Sequence, residues 1–415
     1  MPAWGVASRG QGMDLKSGYP YWAVKNGLMH AFPALEADHR CDVAIVGGGI
    51  TGALIADRLA TEGFDVAVLE QRDIGWGSTA ASTALLQYEI DTHLVDLARH
   101  YGEADAALAY RACAQAIDML QDIASPWRDV EFARADSLYY ASRRRHVATL
   151  EDEYTARRRH GLAVTWLDGD RIRDDYGFDA PAALLSTQAA RVDPYRLTHR
   201  LLARLERLGA SVFDRTCVVD LKTTTRGVTL RTGSGAFVRA AHVVLAAGYA
   251  SQQWLRRRVA QNRSSYAVIT DPLPADRLGF LQDTLLWETA RPYLYARSTA
   301  DGRLLLGGED DAIDIPARRD ARVQKKARTL VKRLHGLFPA LDITPAFSWA
   351  GTFAETADGL PFFGAHPQWG PRVHFAMAYG GNGITYSVLG ADLLSARLQR
   401  RRHRLWPLFS FERLK

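Results

Sequence analysis

The sequence predicts an α/β fold, α+β overall, in which a discontinuous doubly wound domain is interrupted by an inserted mixed-sheet domain. Three observations carry this expectation. A short apolar run, a glycine-rich turn, a helical pattern and a second apolar run follow one another from Cys41 to Leu69, the span of one βαβ unit of about 30 residues. Signals of the same kind return near 195–250 and 345–400, far away in the chain. The stretches between them read as short β-like runs with turns and one basic helix.

Composition sets the bounds. The chain has 415 residues, 47% hydrophobic and 24% charged, which excludes a disordered or collagen-like polymer. At about 150 residues per domain this length gives two or three domains, or one large domain with an insertion. The three cysteines (Cys41, Cys113, Cys217) are too few and too scattered for a disulfide framework. No Cys-x-x-Cys or His-x-x-x-His pair is present, so no metal site is expected. No apolar run reaches the roughly 18 residues of a membrane span and no export signal is visible, so the expected location is the cytoplasm.

In chain order, residues 1–40 are polar and aromatic, with turns at Gly18-Tyr19-Pro20 and Phe32-Pro33. They read as an extension packed on the outside of the first domain. Asp42-Val43-Ala44-Ile45-Val46 is a buried strand, followed by a helix through Ala60 and a strand over 64–69. Residues 93–122 have helical spacing. Asp193-Pro194 is a stop and cap for an amphipathic helix over 195–208, with Leu197, Leu201, Leu202 and Leu205 on one face. Strands are expected at 211–213, 217–221, 228–231 and 242–246, a basic helix at 321–337, and a last helix at 384–400 before a basic, aromatic tail. The nucleotide-binding domain then comprises 41–125, 193–255 and 345–415, and the inserted domain 126–192 and 256–344.

The first turn, Gly47-Gly48-Gly49-Ile50-Thr51-Gly52, fits G-x-G-x-x-G between a strand and a helix, the context a Rossmann-type dinucleotide site requires. Gly47 allows the tight turn, Gly49 lets a pyrophosphate approach the backbone, and Gly52 lets the helix pack closely on the sheet. The helix N-terminus, at Ile50 and Thr51, faces the anion. Glu70 ends the second strand 18 residues after Gly52, where a carboxylate accepts hydrogen bonds from a ribose and disfavours a 2′-phosphate. Gln71 and Arg72 continue the same edge. A second loop, Gly75-Trp76-Gly77-Ser78-Thr79-Ala80-Ala81-Ser82-Thr83-Ala84-Leu85, supplies small residues and hydroxyls that a plain NAD dehydrogenase does not need.

With these segments the chain resembles the D-amino-acid-oxidase-like superfamily of FAD enzymes, which includes glycine and sarcosine oxidases and γ-glutamylputrescine oxidoreductase. Four more segments carry the resemblance, which runs from Cys41 to about Leu394. Arg191-Val192-Asp193-Pro194-Tyr195-Arg196-Leu197 looks like the family's V-D-P lead into a helix. Cys217-Val218-Val219-Asp220 looks like the strand that meets adenine. Val243-Val244-Leu245-Ala246-Ala247-Gly248-Tyr249 looks like the strand-to-glycine segment at the phosphates. Thr356-Ala357-Asp358-Gly359-Leu360-Pro361, with Gly380-Gly381-Asn382-Gly383-Ile384-Thr385, looks like the C-terminal flavin motif. The resemblance implies a Rossmann-type FAD-binding domain with an inserted substrate domain. It places non-covalent FAD against Gly47, Gly49, Ile50, Thr51, Gly52, Glu70, Gln71, Arg72, Gly77, Ser78, Thr79, Ser82, Thr83, Ala84, Leu85, Val218, Ala246, Ala247, Gly248, Gly359, Gly381, Asn382, Gly383, Ile384 and Thr385.

The resemblance also implies oxidation of a C–N bond in an amine or amino acid, by hydride transfer to flavin N5 and hydrolysis of the imine, with O₂ or another electron acceptor. Thr83 stands where many members carry Gly, which argues against carrying over glycine- or sarcosine-oxidase specificity. In the inserted domain, Tyr293, Tyr295 and Arg297 alternate along an expected strand. Two phenols and a guanidinium on one face could form an aromatic pocket with a carboxylate anchor. Gly307-Gly308-Glu309-Asp310 is an expected turn near that face.

The net charge of +6, with 45 Arg and seven Lys, raises nucleic acid as a partner. The basic runs (143–145, 157–159, 256–258, 400–402) are short, scattered and not interleaved with aromatics, and read as solvated helix ends or loops. A flavin module acting in tRNA modification and an NAD-dependent dehydrogenase remain as alternatives. The tail around Trp406, Leu408 and Phe409 is expected to dock on the protein rather than on a membrane.

Overall fold

In the computed structural model, which describes residues 14–312, 314–377 and 379–414, the chain forms two large sheets. Residues 1–13 of the expected N-terminal extension lie outside the described residues.

The eight-stranded sheet runs in the order Phe362–Ala365, Val373–Met377, Phe237–Leu245, His39–Val46, Val66–Leu69, Ser211–Phe213. Its five strands from Val373–Met377 to Ser211–Phe213 are parallel. The hairpin Val218–Thr223 and Val228–Thr232 extends from Phe237–Leu245. Val43, Ala44 and Ile45 are wholly buried because both faces are covered, which is why the strand reads as an unbroken apolar run. On one face Ile50–Thr61, Pro194–Arg207, Gly383–Leu398 and Glu103–Ala124 bury Leu54, Leu201, Leu393 and Ile117 against Ile45 and Val68. On the other face Ala44, Val46 and Leu69 share a core with Leu221 and Leu230 of the hairpin.

The ten-stranded sheet runs Lys16–Gly18, Pro345–Glu355, Gln261–Thr270, Leu304–Asp311, Leu294–Ser298, Thr284–Glu288, Ala133–Tyr140, Ala182–Arg191, Leu85–Gln87, with Val164–Asp168 branching from Ala182–Arg191. It is antiparallel except where Thr284–Glu288 meets Ala133–Tyr140. The helix Pro316–Leu337 buries Val323, Ala327, Leu330 and Leu334 on one of its faces. It begins five residues before the expected 321 because Pro316 is a favoured first helical residue.

Three expectations are corrected. The extension is not merely external: Lys16–Gly18 pairs with Pro345–Glu355 as an edge strand of the ten-stranded sheet. The buried Arg319 guanidinium fixes it there by donating to the Asp14 and Lys16 carbonyls and the Ser17 hydroxyl. Pro345–Glu355 itself, expected in the nucleotide-binding piece, is a strand of the same ten-stranded sheet, paired along ten residues with Gln261–Thr270. Finally, the run 157–159 is not wholly solvated. Arg157 is fully buried between Glu153 and Glu89, while Glu153 accepts the Leu94 and Val95 N–H groups at a helix start. The tail docks on the protein: Leu408, Phe409 and Phe411 are buried, and Arg413 reaches Asp358 at 2.8 Å.

Candidate active site

The glycine turn sits where three strands end together. Gly47 N–H donates to Leu69 O and Ala246 N–H to Val46 O, both at 2.8 Å. Gly47 has φ +121°, and a Cβ there would lie 2.4 Å from Ala246 O; a Cβ on Gly52 would lie 1.9 Å from Gly47 O. Only glycine fits either position. Gly49 is less strict, since its Cβ would meet the Thr79 hydroxyl at 3.0 Å.

That hydroxyl also accepts from Ile50 N–H at 2.9 Å, so the second loop clasps the first helix turn. The first bond within the helix is Ala53 N–H to Gly49 O. The N–H groups of Thr51 and Gly52 ahead of it point out of the helix end. The Thr51 side chain turns inward to Ser387 Oγ at 2.7 Å.

Glu70 accepts from Gly48 N–H at 2.8 Å and Arg72 N–H at 2.9 Å. Burial raises its carboxyl from the usual range, against these N–H groups and Arg72. The chain from Phe213 to Thr216, two residues ahead of Val218, runs beside Glu70 and Arg72 through Glu70 N–H to Phe213 O and Thr216 N–H to Glu70 O.

The second loop is held from behind. Trp349 Nε1 donates to Ala81 O (2.9 Å), Trp22 Nε1 to Ser82 O (2.7 Å) and Arg297 Nε to Thr83 O (2.6 Å). With these carbonyls drawn back, Ala84 takes left-handed backbone at φ 51°, a strained setting of the kind found at ligand sites.

This geometry corrects the expectation for Arg297. It is fully buried, its other donors go to Val192 O and Ser298 O, and it lies 5.1 Å over the Trp22 ring. Burial lowers its pKa to about 9. No carboxylate is needed to satisfy it, and its work is to fix the loop.

At the C-terminal motif, Asn382 Nδ2 donates to Glu89 O at 2.6 Å and Thr385 Oγ1 to Gln87 O at 3.1 Å, so these side chains hold neighbouring backbone. Gly381 N–H, expected to face the flavin, donates to Asp91 Oδ2 at 2.8 Å. The first bond within the last helix is Tyr386 N–H to Asn382 O, which leaves the N–H groups of Gly383, Ile384 and Thr385 at the helix end. Gly359 closes the same corner: its carbonyl accepts from Tyr386 and its Cβ position lies 2.6 Å from Thr92 Oγ1. Gly248 has φ +55°, and Tyr249 beside it donates to Gly380 O at 3.3 Å.

A cavity of about 540 Å³ opens beside this motif, lined by Asp91, Arg263, Arg291, Asp310, Glu355 and Gly380 among others. Tyr293 and Tyr295 stand with ring centroids 5.9 Å apart, and Arg291 lies 4.1 Å over the Tyr293 ring. Burial raises Tyr295 to about 12 and Tyr293 further, so both phenols are neutral at physiological pH.

Gly307 and Gly308 make room for the tyrosines: a Cβ on Gly307 would lie 2.3 Å from the Tyr295 ring, and one on Gly308 1.9 Å from Tyr293 O. Next, Glu309 takes φ 54° and turns to Lys326 and Arg333, while Asp310 turns to the cavity. The sequence reading reached Tyr293, Tyr295 and Gly307–Asp310. It missed Trp22, Asp91, Arg263, Arg291 and Glu355, which carry no motif.

Residues 42–397 match the protein family described as DAO, FAD dependent oxidoreductase. The chain belongs to this family. It is therefore an FAD-dependent oxidoreductase, and the expected fold and cofactor agree with that membership. The chain is 26% identical to γ-glutamylputrescine oxidoreductase of Escherichia coli (strain K12) over 388 residues, covering 91% of this chain and 88% of the relative. It is 28% identical to a glycine oxidase of Geobacillus kaustophilus (strain HTA426) over 389 residues, covering 90% and 96% respectively. The crystal structure of glycine oxidase from Geobacillus kaustophilus superposes with TM-score 0.76 at 22% identity, covering 89% of this chain and 98% of that one.

The residues present fit FAD. The Gly47 and Gly52 cradle tolerates no Cβ, the helix-end N–H groups of Thr51 and Gly52 suit a diphosphate, and Glu70 borders the same turn. No helix among the described residues is long and apolar enough to cross a membrane.

Proposed function

We propose that the protein oxidises a C–N bond of an amine or amino acid, using FAD held without a covalent bond. The observation that supports this most is the juxtaposition at the C-terminal motif. A helix end with three N–H groups begins three residues after Gly380, which lines a cavity together with carboxylates and guanidinium groups. When bound, FAD supplies the acceptor for a hydride equivalent from the carbon next to nitrogen. The imine product then hydrolyses to a carbonyl compound and an amine or ammonia.

The chain's own part is orientation and electrostatics. The turn at Gly47–Gly52 and Glu70 would hold the adenosine diphosphate portion. Residues 77–85 and 381–385 would hold the ring, with the N–H groups of Gly383, Ile384 and Thr385 facing developing negative charge. Arg297, Trp22 and Trp349 keep the loop carbonyls turned away. Arg291 replaces Arg297 as the candidate carboxylate anchor. It borders the cavity, is stacked on Tyr293, and makes a long 3.4 Å bond to Asp91 O.

Non-covalent attachment is supported by the thiols. Burial raises Cys113 strongly, Cys41 to about 12, and Cys217 in the same direction, so none is a ready thiolate.

The test is a panel of amines and amino acids, assayed with O₂ and with an artificial acceptor, for release of ammonia or amine together with a carbonyl compound. At least one member is expected to give both products in equal amounts. A flavin-loaded protein inert to every member with either acceptor would overturn the proposal.

A further inference from the structure

The cavity holds a carboxylate with one oxygen left over. Asp310 Oδ1 is buried and has no hydrogen-bond partner among the described residues. A buried acceptor left in this state costs free energy unless a donor arrives. The backbone is built to present it. Gly308, at φ 127°, and Glu309, at φ 54°, break the alternation of the strand, so Glu309 points to Arg333 while the next residue also leaves the sheet plane towards the cavity.

The surrounding charges do not neutralise it. Arg263 forms an ion pair with Glu355. Asp91, which lines the same cavity, is engaged by Gly381 N–H and, at 3.5 Å, by the Tyr293 hydroxyl. Arg291 is the remaining guanidinium of the lining, facing both Asp91 and Asp310. Two carboxylates against one guanidinium leave a net negative wall beside two neutral phenols, which suits a cation.

We infer that Asp310 binds the substrate's ammonium group and takes its proton, with Asp91 as the second carboxylate of an ammonium site; the inference rests on the proposed amine oxidation. The substrate class is a primary or secondary amine that arrives protonated. One N–H bond of the ammonium breaks, its electron pair stays on nitrogen, and an O–H bond forms on Asp310. The neutral amine then carries the lone pair that C–N oxidation needs. The proton leaves to water when product departs.

The alternative proton acceptors in and around the cavity are poorer. Tyr293 and Tyr295 are already protonated and Glu355 is paired with Arg263. Burial, reinforced by Asp91 and Glu355 and opposed by Ser265 and Arg291, raises the Asp310 carboxyl to about 7, which suits it to give and take a proton near neutrality.

The test uses the flavin-loaded enzyme and tert-butylammonium chloride, a cation with no hydrogen on the carbon next to nitrogen and hence no oxidation. Binding is followed by calorimetry and by perturbation of the flavin spectrum. Wild type is expected to bind more tightly as pH rises through about 7, as Asp310 ionises. Asp310→Asn, nearly the same shape, is expected to retain flavin but bind at least ten-fold more weakly with a flat pH dependence. Asp310→Glu should restore part of the binding. Equal affinity and the same pH dependence in wild type and D310N would overturn the inference. Failure of wild type to oxidise any amine would instead overturn the proposed function, so the two failures are distinguishable.

Discussion

The two sheets meet the site with different parts of the chain. The eight-stranded sheet presents backbone: strand ends, two glycines that tolerate no Cβ, and helix termini whose N–H groups point outward. The ten-stranded sheet presents side chains: Asp310 and Tyr295 on a strand pair loosened by Gly307 and Gly308, with Arg291 and Tyr293 just ahead of it. Backbone donors are the same for any sequence, so the first region is suited to an invariant ligand. Side chains can be exchanged one by one, so the second can be retuned to a different amine on the same frame. Arg297 and Arg291 show the divide at short range. They are six residues apart, yet Arg297 is buried on three carbonyls and serves the cofactor loop, while Arg291 lies at the cavity.

The comparison can be broken most severely at Gly52. Gly52→Ala places a Cβ 1.9 Å from Gly47 O, and the flavin absorbance per protein should be lost. Gly49→Val, whose Cβ meets only the Thr79 hydroxyl within the protein, should lose less stability in denaturant unfolding than Gly52→Ala while also losing flavin, because its side chain occupies the pyrophosphate approach; equal stability losses would deny the difference between the two glycines.

Next is Arg297→Leu. It leaves the carbonyls of Thr83, Val192 and Ser298 without their donor and should cost about 3 kcal/mol of stability in denaturant unfolding, with weaker flavin retention. Arg291→Gln should leave unfolding unchanged and raise KM about ten-fold for carboxylate-bearing substrates, a loss of the order of one charged hydrogen bond. A large stability loss in R291Q, or a KM effect in place of a stability loss in R297L, would reverse the assignment. The smallest effect expected is that of Trp22→Phe, about 1 kcal/mol for one hydrogen bond to Ser82 O.

A pH scan sharpens the same contrast. The folded-state carboxyl of Asp310, at about 7, lies above its unfolded value of about 4. Its contribution to stability is full below pH about 4 and is lost as pH rises through about 7. Asp310→Asn lacks this loss, so its Tm should gain on wild type between pH about 5 and about 8. Parallel Tm curves would show that the Asp310 carboxyl is not raised.

The same divide explains what could be read from sequence. The glycine turn, Glu70, the Asp193-Pro194 cap and the last helix are local patterns whose backbone consequence follows within a few residues. Asp91, Arg291 and Glu355, spread over more than 250 positions, come together only in the folded chain, and none has a local signature. Arg297 was misread because alternation along a strand tells which face a side chain takes, not that three backbone carbonyls await it there. The edge strand Lys16–Gly18 is only three residues long, too short for a period to show.

The most direct test is a crystal structure of the flavin-loaded enzyme with tert-butylammonium bound. The flavin ring is expected between the 82–85 loop and the N-terminus of Gly383–Leu398, with the ammonium nitrogen within hydrogen-bond distance of Asp310. An amine bound elsewhere, with Asp310 still unpartnered, would contradict this reading of the active site.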